Sequence, residues 1–284
     1  MLRASVIISF YNDLPVLRLV LEALAKQYSD QFEVLIADDG SNREIVADLG
    51  QMLPNYPFKV SHLWQADQGF RKTIILNRAA VRAQSDCIIF VDADCVPQNH
   101  FVNDHLRHAG PGICQTGRRL DVFRDAIKVL DVRAPEQILT RNWATLLRWC
   151  WQHKARNLEK GVRLTPALAR MLGRRPWGAL GCNFSVNRQD FVRINGFDER
   201  HAVAWGAEDS DLERRLVKAG VRLNSLRYQA NMVHFDASYF RRRGDQPIGQ
   251  TNDYYAVAKA ENRIWTAHGI IKEDRSDPIL YPSS

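Results

Sequence analysis

Hydrophobic and polar positions follow two alternating rhythms in the first part of the chain. Residues 5–10 form a short, continuous apolar run of the kind a fully buried strand needs. Asn12 or Asp13 then stands where a helix cap belongs, Pro15 falls in the first turn, and Leu17, Val20, Leu21 and Leu24 recur at helical spacing. The alternation continues with a strand at 33–37 ending in Asp38-Asp39-Gly40-Ser41, a helix at 44–52 and a strand at 58–64. A helix at 73–83 follows, then a strand at 87–91 that runs straight into Asp92-Ala93-Asp94. Such alternation predicts an α/β fold, a Rossmann-like, mostly parallel sheet flanked by helices. Ligands of these sheets sit beyond the carboxyl ends of the strands. The clusters at 38–41, 67–72 and 92–94 all fall there.

The rhythm breaks near residue 132. Residues 133–177 hold ten Lys or Arg against Glu136 and Glu159, a net +8, and four of the seven tryptophans, at 143, 149, 151 and 177. Trp143, Leu146, Leu147, Cys150 and Trp151 fit one helical stripe, so the segment reads as a helical basic insertion. Beyond it a strand is expected at 182–186, a helix at 209–219 closed by Gly220, a strand at 223–226 and a helix at 252–268. The tail after Asp274, with Pro278 and Pro282, reads as loose. The division expected is 1–125, 126–177, 178–270 and a tail at 271–284.

Composition narrows the class. Of 284 residues 45% are hydrophobic and 25% charged, which excludes whole-chain disorder, collagen and coiled coil. A net charge of +7 permits an anionic partner. Five cysteines with no CxxC pair read as reduced cytosolic thiols and not as a disulfide framework or zinc site. No apolar run approaches the roughly 18 residues of a membrane span. The first ten residues imitate a signal peptide, but their apolar run is short and Tyr11-Asn12-Asp13 follows it. The expectation is a cytoplasmic protein, soluble or peripheral on the inner face of the membrane.

Asp92-Ala93-Asp94 is the sharpest local feature. Two carboxylates flanking a small residue behind a buried strand point the same way from a rigid base. They are hard oxygen donors suited to Mn2+ or Mg2+, which in turn bridge phosphate oxygens. A plain solvated turn is the competing reading. Asp38-Asp39-Gly40-Ser41 alone is an Asx-type turn with glycine at positive φ. On the same sheet edge, its carboxylates can also accept from a base or a ribose. Arg71 and Lys72, at a helix start behind Asp67-Gln68-Gly69, can neutralise a diphosphate. Glu208 and Asp209 open a helix whose dipole favours acids in any case. Behind Trp205 and Gly206, a carboxylate there also suits a general base that grips a hydroxyl. His234 gains value as a ligand only beside a metal.

Taken in order, Ser9-Phe10-Tyr11-Asn12, Asp38-Asp39-Gly40-Ser41, Asp67-Gln68-Gly69 and Asp92-Ala93-Asp94 resemble the family 2 glycosyltransferases of the GT-A fold. Gly196-Phe197-Asp198, Trp205-Gly206-Ala207-Glu208-Asp209 and His234 resemble a galactosyltransferase-type C-terminal region. The resemblance covers roughly 4–125 and 178–236 and leaves 133–177 unexplained. It implies that Asp39 and the backbone near Phe10 hold the uracil and ribose of a UDP-sugar, with Asp67 and Arg71 near the nucleotide or sugar. Asp92 and Ala93 would lie against the ribose or metal, and Asp94 and His234 would coordinate Mn2+ or Mg2+. Trp205 and Gly206 would meet the acceptor, Glu208 would position substrate, and Asp209 would take the proton from the acceptor hydroxyl. The family's glycine after Trp-Gly is Ala207 here, which narrows the acceptor loop without removing the base.

The implied activity is inverting hexosyl transfer from UDP-galactose or UDP-N-acetylgalactosamine to a glycan hydroxyl. One carboxylate near the acceptor suffices for direct displacement, whereas a retaining double displacement needs a second as nucleophile. The tryptophans and basic side chains of 133–177 suit an anionic lipid surface, and with it a lipopolysaccharide, capsule or lipid-linked acceptor. Two rival readings are weaker. A sugar nucleotidyltransferase wants a glycine-rich loop after the first strand, where Ser9-Phe10-Tyr11-Asn12-Asp13 has none. A non-catalytic binder of anionic surfaces or nucleic acid leaves the acidic clusters unexplained, and no nucleic-acid motif accompanies the charge.

Overall fold

In a computed structural model, the structure describes residues 2–130, 137–173, 178–202, 207–235 and 249–272. The strands are β1 (Ala4–Phe10), β2 (Phe32–Asp38), β3 (Lys59–Trp64), β4 (Cys87–Asp92), β5 (Cys95–Pro97) and β6 (Ile113–Thr116). They continue as β7 (Arg119–Val122), β8 (Ala155–Arg156), β9 (Asn183–Asn187), β10 (Arg222–Ser225) and β11 (Met232–Phe235). The helices are α1 (Leu14–Leu24), α2 (Arg43–Met52), α3 (Lys72–Arg82), α4 (Phe101–Leu106) and α5 (Ile138–Trp151). After them come α6 (Pro166–Leu172), α7 (Arg188–Arg193), α8 (Glu208–Lys218) and α9 (Gly249–Glu261).

Seven strands form the main sheet in the order β10-β6-β9-β4-β1-β2-β3. All pairings are parallel except those of β9, which runs antiparallel to both β4 and β6. Both faces are covered, so β1 needs apolar residues throughout. Val6, Ile8 and Phe10 face a core shared with α1 and α2, while Ile7 faces one shared with α3, α7 and α8. A second sheet, β5-β11-β7-β8, packs into the first of these cores. The sequence halves therefore interleave: β9 lies inside the main sheet, and β11 lies between β5 and β7. The basic segment is not purely helical either, because β8 extends the second sheet beside β7.

Three local expectations are corrected. Neither Asn12 nor Asp13 caps α1 with its side chain. Asn12, at φ 55, instead accepts from the Asn42 N–H through Oδ1 and donates its own N–H to Ser41 Oγ, tying the β1 and β2 turns together. The helix at 252–268 is α9 and ends at Glu261, because Asn262 turns left-handed at φ 54. Ile271 and Lys272, expected to be loose, are held by Asn195 and Glu199, and the tail from 273 lies outside the described residues.

The stripe on α5 is also out of phase with the sequence pattern. Asn142 leaves helical geometry at φ −120, ψ 18, and the buried side chains are Ile138, Leu146 and Trp149. Trp149 packs edge-on against Phe123, with ring centroids 5.0 Å apart. Trp143, Leu147 and Trp151 point outward, 63%, 53% and 83% exposed. Trp177 lies outside the described residues.

Candidate active site

The carboxyl ends of β1, β2 and β4 open into a cleft of about 430 Å³. Phe10, Asp39, Asp67, Asp92, Ala93 and Asp94 all line it, so tertiary structure brings together six positions that the sequence spreads over many turns.

Asp38 and Asp39 leave β2 with different partners. Asp38 is fully buried, accepts from the Gly40 and Ser41 N–H groups, and lies 2.8 Å from His62 Nε2. It builds the turn. Asp39 lines the cleft and accepts from Gln65 Nε2 at 2.6 Å and the Arg71 N–H at 2.8 Å. Burial pushes its carboxyl above the usual range, against the pull of those two donors. Gly40 is required here. At φ +102, a Cβ on it would lie 2.6 Å from the Asp67 backbone. That close approach sets Asp67 at the rim, where its carboxylate accepts from Tyr11 Oη and the Gly69 N–H.

Arg71 does not line the cleft. Its guanidinium donates to the Ala66 carbonyl, and the cation facing the cleft is Lys72. Lys72 Nζ lies 2.7 Å from Asp92 and 3.9 Å from Glu208. Burial disfavours its charge, but those two carboxylates hold its pKa above the usual lysine range.

The two carboxylates of Asp92-Ala93-Asp94 thus play separate parts. Asp92 ends β4 and is engaged by Ser9 and Lys72. Asp94 lies in the turn before β5, and its Oδ2 is 3.2 Å from His234 Nε2. Across β11, His234 Nδ1–H donates to Asp121 at 3.0 Å, and Asp121 also accepts from Arg119 and Asn157. Burial works against charge at both Asp94 and His234. Their mutual attraction outweighs it, holding the Asp94 carboxyl low, at about 2, and the His234 imidazolium high, at about 10. A carboxylate oxygen and an imidazole nitrogen this close, the ring fixed from behind by a second carboxylate, form a donor pair fitted to a divalent metal. The residues present therefore fit the ion expected from the sequence.

Asp121, Cys95 and Cys182 were not singled out in the sequence. The alternation Arg119-Leu120-Asp121-Val122 carried a strand signal for the first. The neighbouring Cys95 thiol and the Arg119 guanidinium, 3.1 Å away, draw the Cys182 thiol down to about 7 despite burial.

Glu208 and Asp209 open α8 beside the cleft. Asp209 accepts from the Gly181 and Ser210 N–H groups at 3.1 and 2.7 Å. Burial pushes the Glu208 carboxyl up against the pull of Lys72, and its Oε2 has no hydrogen-bond partner among the described residues. Asp211, from the same acidic run, is structural, buried against Arg214 and Arg215. Trp205 and Gly206 lie outside the described residues.

The doubly covered, mostly parallel sheet with a carboxylate cleft at its strand ends is a GT-A-type glycosyltransferase fold. Its solved likenesses include the mannosyltransferase PcManGT from Pyrobaculum calidifontis in complex with GDP-Man and Mn2+. The TM-score is 0.52 at 18% identity, over 92% of this chain and 61% of that one. GalNAc-T7 with UDP, GalNAc and Mn2+ gives 0.55 at 16% identity, over 94% and 52%. At such identities the likeness shows the fold alone. In sequence, residues 5–113 match glycosyl transferase family 2, and residues 171–237 match the N-terminal domain of galactosyltransferase. Residues 5–113 thus resemble the family 2 glycosyltransferases.

Chondroitin synthase of Pasteurella multocida (strain Pm70) is 29% identical over 105 residues, 36% of this chain and 10% of that protein. An uncharacterized glycosyltransferase of Nostoc sp. (strain PCC 7120 / SAG 25.82 / UTEX 2576) is 30% identical over 102 residues, 35% of this chain and 30% of its own length. The chain spans less than a third of either.

Proposed function

We propose that the protein is an inverting, divalent-metal-dependent glycosyltransferase that moves a hexose from a UDP-sugar to a hydroxyl of a glycan acceptor. UDP-galactose and UDP-N-acetylgalactosamine are the favoured donors, on the galactosyltransferase-type segment at 171–237. The observation that carries the reading is the Asp94–His234 donor pair, backed by Asp121, at the edge of a cleft that Asp39 and Asp67 also line. Both solved likenesses pair a nucleotide or nucleotide sugar with Mn2+.

In this reading Asp39 and the Phe10 backbone receive the uracil and ribose, Asp92 and Ala93 lie against the ribose, and Asp67 borders the sugar. Asp94 and His234 hold the metal, which as a Lewis acid stabilises the charge that develops on the departing diphosphate. Lys72 adds a fixed positive charge to that part of the cleft, in the role the sequence suggested for Arg71 and Lys72 together. Asp209 takes the acceptor proton, its orientation set by the Gly181 and Ser210 N–H groups, and Glu208 positions the substrate. Trp205 and Gly206 complete the acceptor side.

Calorimetric titration of UDP into the protein, with Mn2+ and again with EDTA, tests the donor half. Metal-dependent binding supports it, and product analysis with a panel of UDP-sugars then reads sugar and stereochemistry. Absence of UDP binding under both conditions would overturn it.

The exposed face of α5 supports an anionic bilayer as the surface on which the acceptor is met, a lipid-linked, lipopolysaccharide or capsular glycan. Trp143, Leu147 and Trp151 form an outward stripe suited to apolar insertion, in a stretch of sequence whose net +8 suits attraction to anionic headgroups. Among the described residues no helix is long and apolar enough to cross a membrane. Sedimentation with phosphatidylglycerol vesicles should fall on Trp143→Ser/Trp151→Ser substitution; equal sedimentation of both proteins would sink this part.

A further inference from the structure

Cys95 has no part in the reading above, yet it is built into the same cluster. It is the first residue of β5, and in the antiparallel pairing with β11 it stands directly opposite His234. Residues paired in this way carry their side chains on one face of the sheet. The Cys95 thiol donates to Asp94 Oδ1 at 3.4 Å, while the other carboxylate oxygen faces His234 Nε2 at 3.2 Å. The sulfur, a carboxylate oxygen and a ring nitrogen all lie within 4.8 Å of one another, a spread that one ion can span from its centre. Among the described residues this is the only group of three such donors so arranged.

We propose that Cys95 Sγ is the third protein donor of the metal site, so that the site offers sulfur, nitrogen and oxygen instead of carboxylate oxygens alone. The inference rests on the reading of Asp94 and His234 as metal ligands and adds to it a choice of ion. On binding, the S–H bond breaks, a sulfur–metal bond forms, and the thiol proton passes to solvent. Mg2+ is hard, keeps its waters and disfavours sulfur, whereas Mn2+, Co2+ and Zn2+ accept mixed N, O and S donors. The sequence left Mn2+ and Mg2+ equivalent; the thiol decides for Mn2+ and places Co2+ and Zn2+ above it in affinity. Cys182, hydrogen-bonded to Cys95 on its far side and held by Arg119, keeps the sulfur in place and is not itself a ligand.

The test is titration of the whole protein with Co2+, read by the near-ultraviolet thiolate-to-Co2+ charge-transfer band, beside calorimetry with Mn2+ and Mg2+. Wild type should develop the band at one equivalent and prefer Mn2+ to Mg2+. Cys182→Ser should keep both properties. Cys95→Ser should lose the band and bind Mn2+ at least about tenfold more weakly, since even an outer partner of a ligand is worth about 10–100-fold in affinity. Its Mg2+ affinity should change much less. Co2+ bound by wild type without the band overturns the sulfur donor and leaves the Asp94–His234 site standing. No binding of any of the three ions overturns both. The wild-type spectrum decides the matter even where Cys95→Ser fails to fold.

Discussion

His234 donates its Nδ1–H to Asp121 at 3.0 Å and thereby keeps Nε2 turned toward Asp94, 3.2 Å away. A ring otherwise free to flip is held in one orientation by a carboxylate that itself is held by Arg119 and Asn157.

Asp121→Asn retains the shape but not the charge behind the ring. Calorimetry should give Mn2+ affinity about 10–100-fold weaker than wild type. Unchanged affinity would show that the ring is oriented by packing alone.

Asp209→Asn removes the proposed base and keeps its size. Transfer should fall by about 10²–10⁴-fold with metal-supported UDP binding intact. Glu208→Gln is the informative companion, because the Glu208 carboxyl is pushed up by burial and its Oε2 has no partner among the described residues. If Glu208→Gln abolishes transfer while Asp209→Asn does not, the base is Glu208.

Asp211 governs an acid limb of stability. Burial opposes its charge, but bonds from His201, Arg215 and Arg214 hold its folded pKa well below the carboxylate range. A depressed carboxylate stabilises the fold above its unfolded pKa of about 3.9, and that contribution fades as pH falls toward the folded value. Asp211→Asn leaves Arg215 buried without its counter-charge, at a cost of roughly 3–5 kcal/mol at neutral pH. Urea midpoints should differ strongly at pH 7, with a gap that is narrower but not closed at pH 3. A constant difference between the two would contradict this origin.

The phase of α5 makes a contrast between tryptophans. Trp149→Ala should cost about 3–5 kcal/mol, as removal of a buried aromatic does. Trp143→Ala and Trp151→Ala should stay within about 0.5 kcal/mol. Thermal or urea unfolding of the three variants reads this directly, and equal losses at all three would reverse the face assignment.

Much of this architecture is local in origin and so was legible early. The apolar run of β1 and the helical spacing of Leu17, Val20, Leu21 and Leu24 follow from short-range periodicity, and the structure keeps both. So do the acidic turns, because a parallel sheet exposes its strand ends wherever it ends. Periodicity failed on α5, where an apolar stripe does not say which face meets the core. The buried face of α5 carries Ile138, Leu146 and Trp149, and Trp143 and Trp151 point outward. It failed again at β5 and β8, too short to hold a pattern and formed by pairing with β11 and β7.

The sequence by itself determined the alternating sheet and the residues that crowd its carboxyl edge, since each is dictated by neighbours a few positions away. Tertiary structure alone decided which of those residues meet. Asp94 and His234 are 140 positions apart, and they touch because β11 inserts between β5 and β7. Arg71 and Lys72 are adjacent, yet only the second faces the cleft. Those outcomes depend on strand order and side-chain direction, which arise from burying two faces of one sheet at once and leave no trace in spacing along the chain.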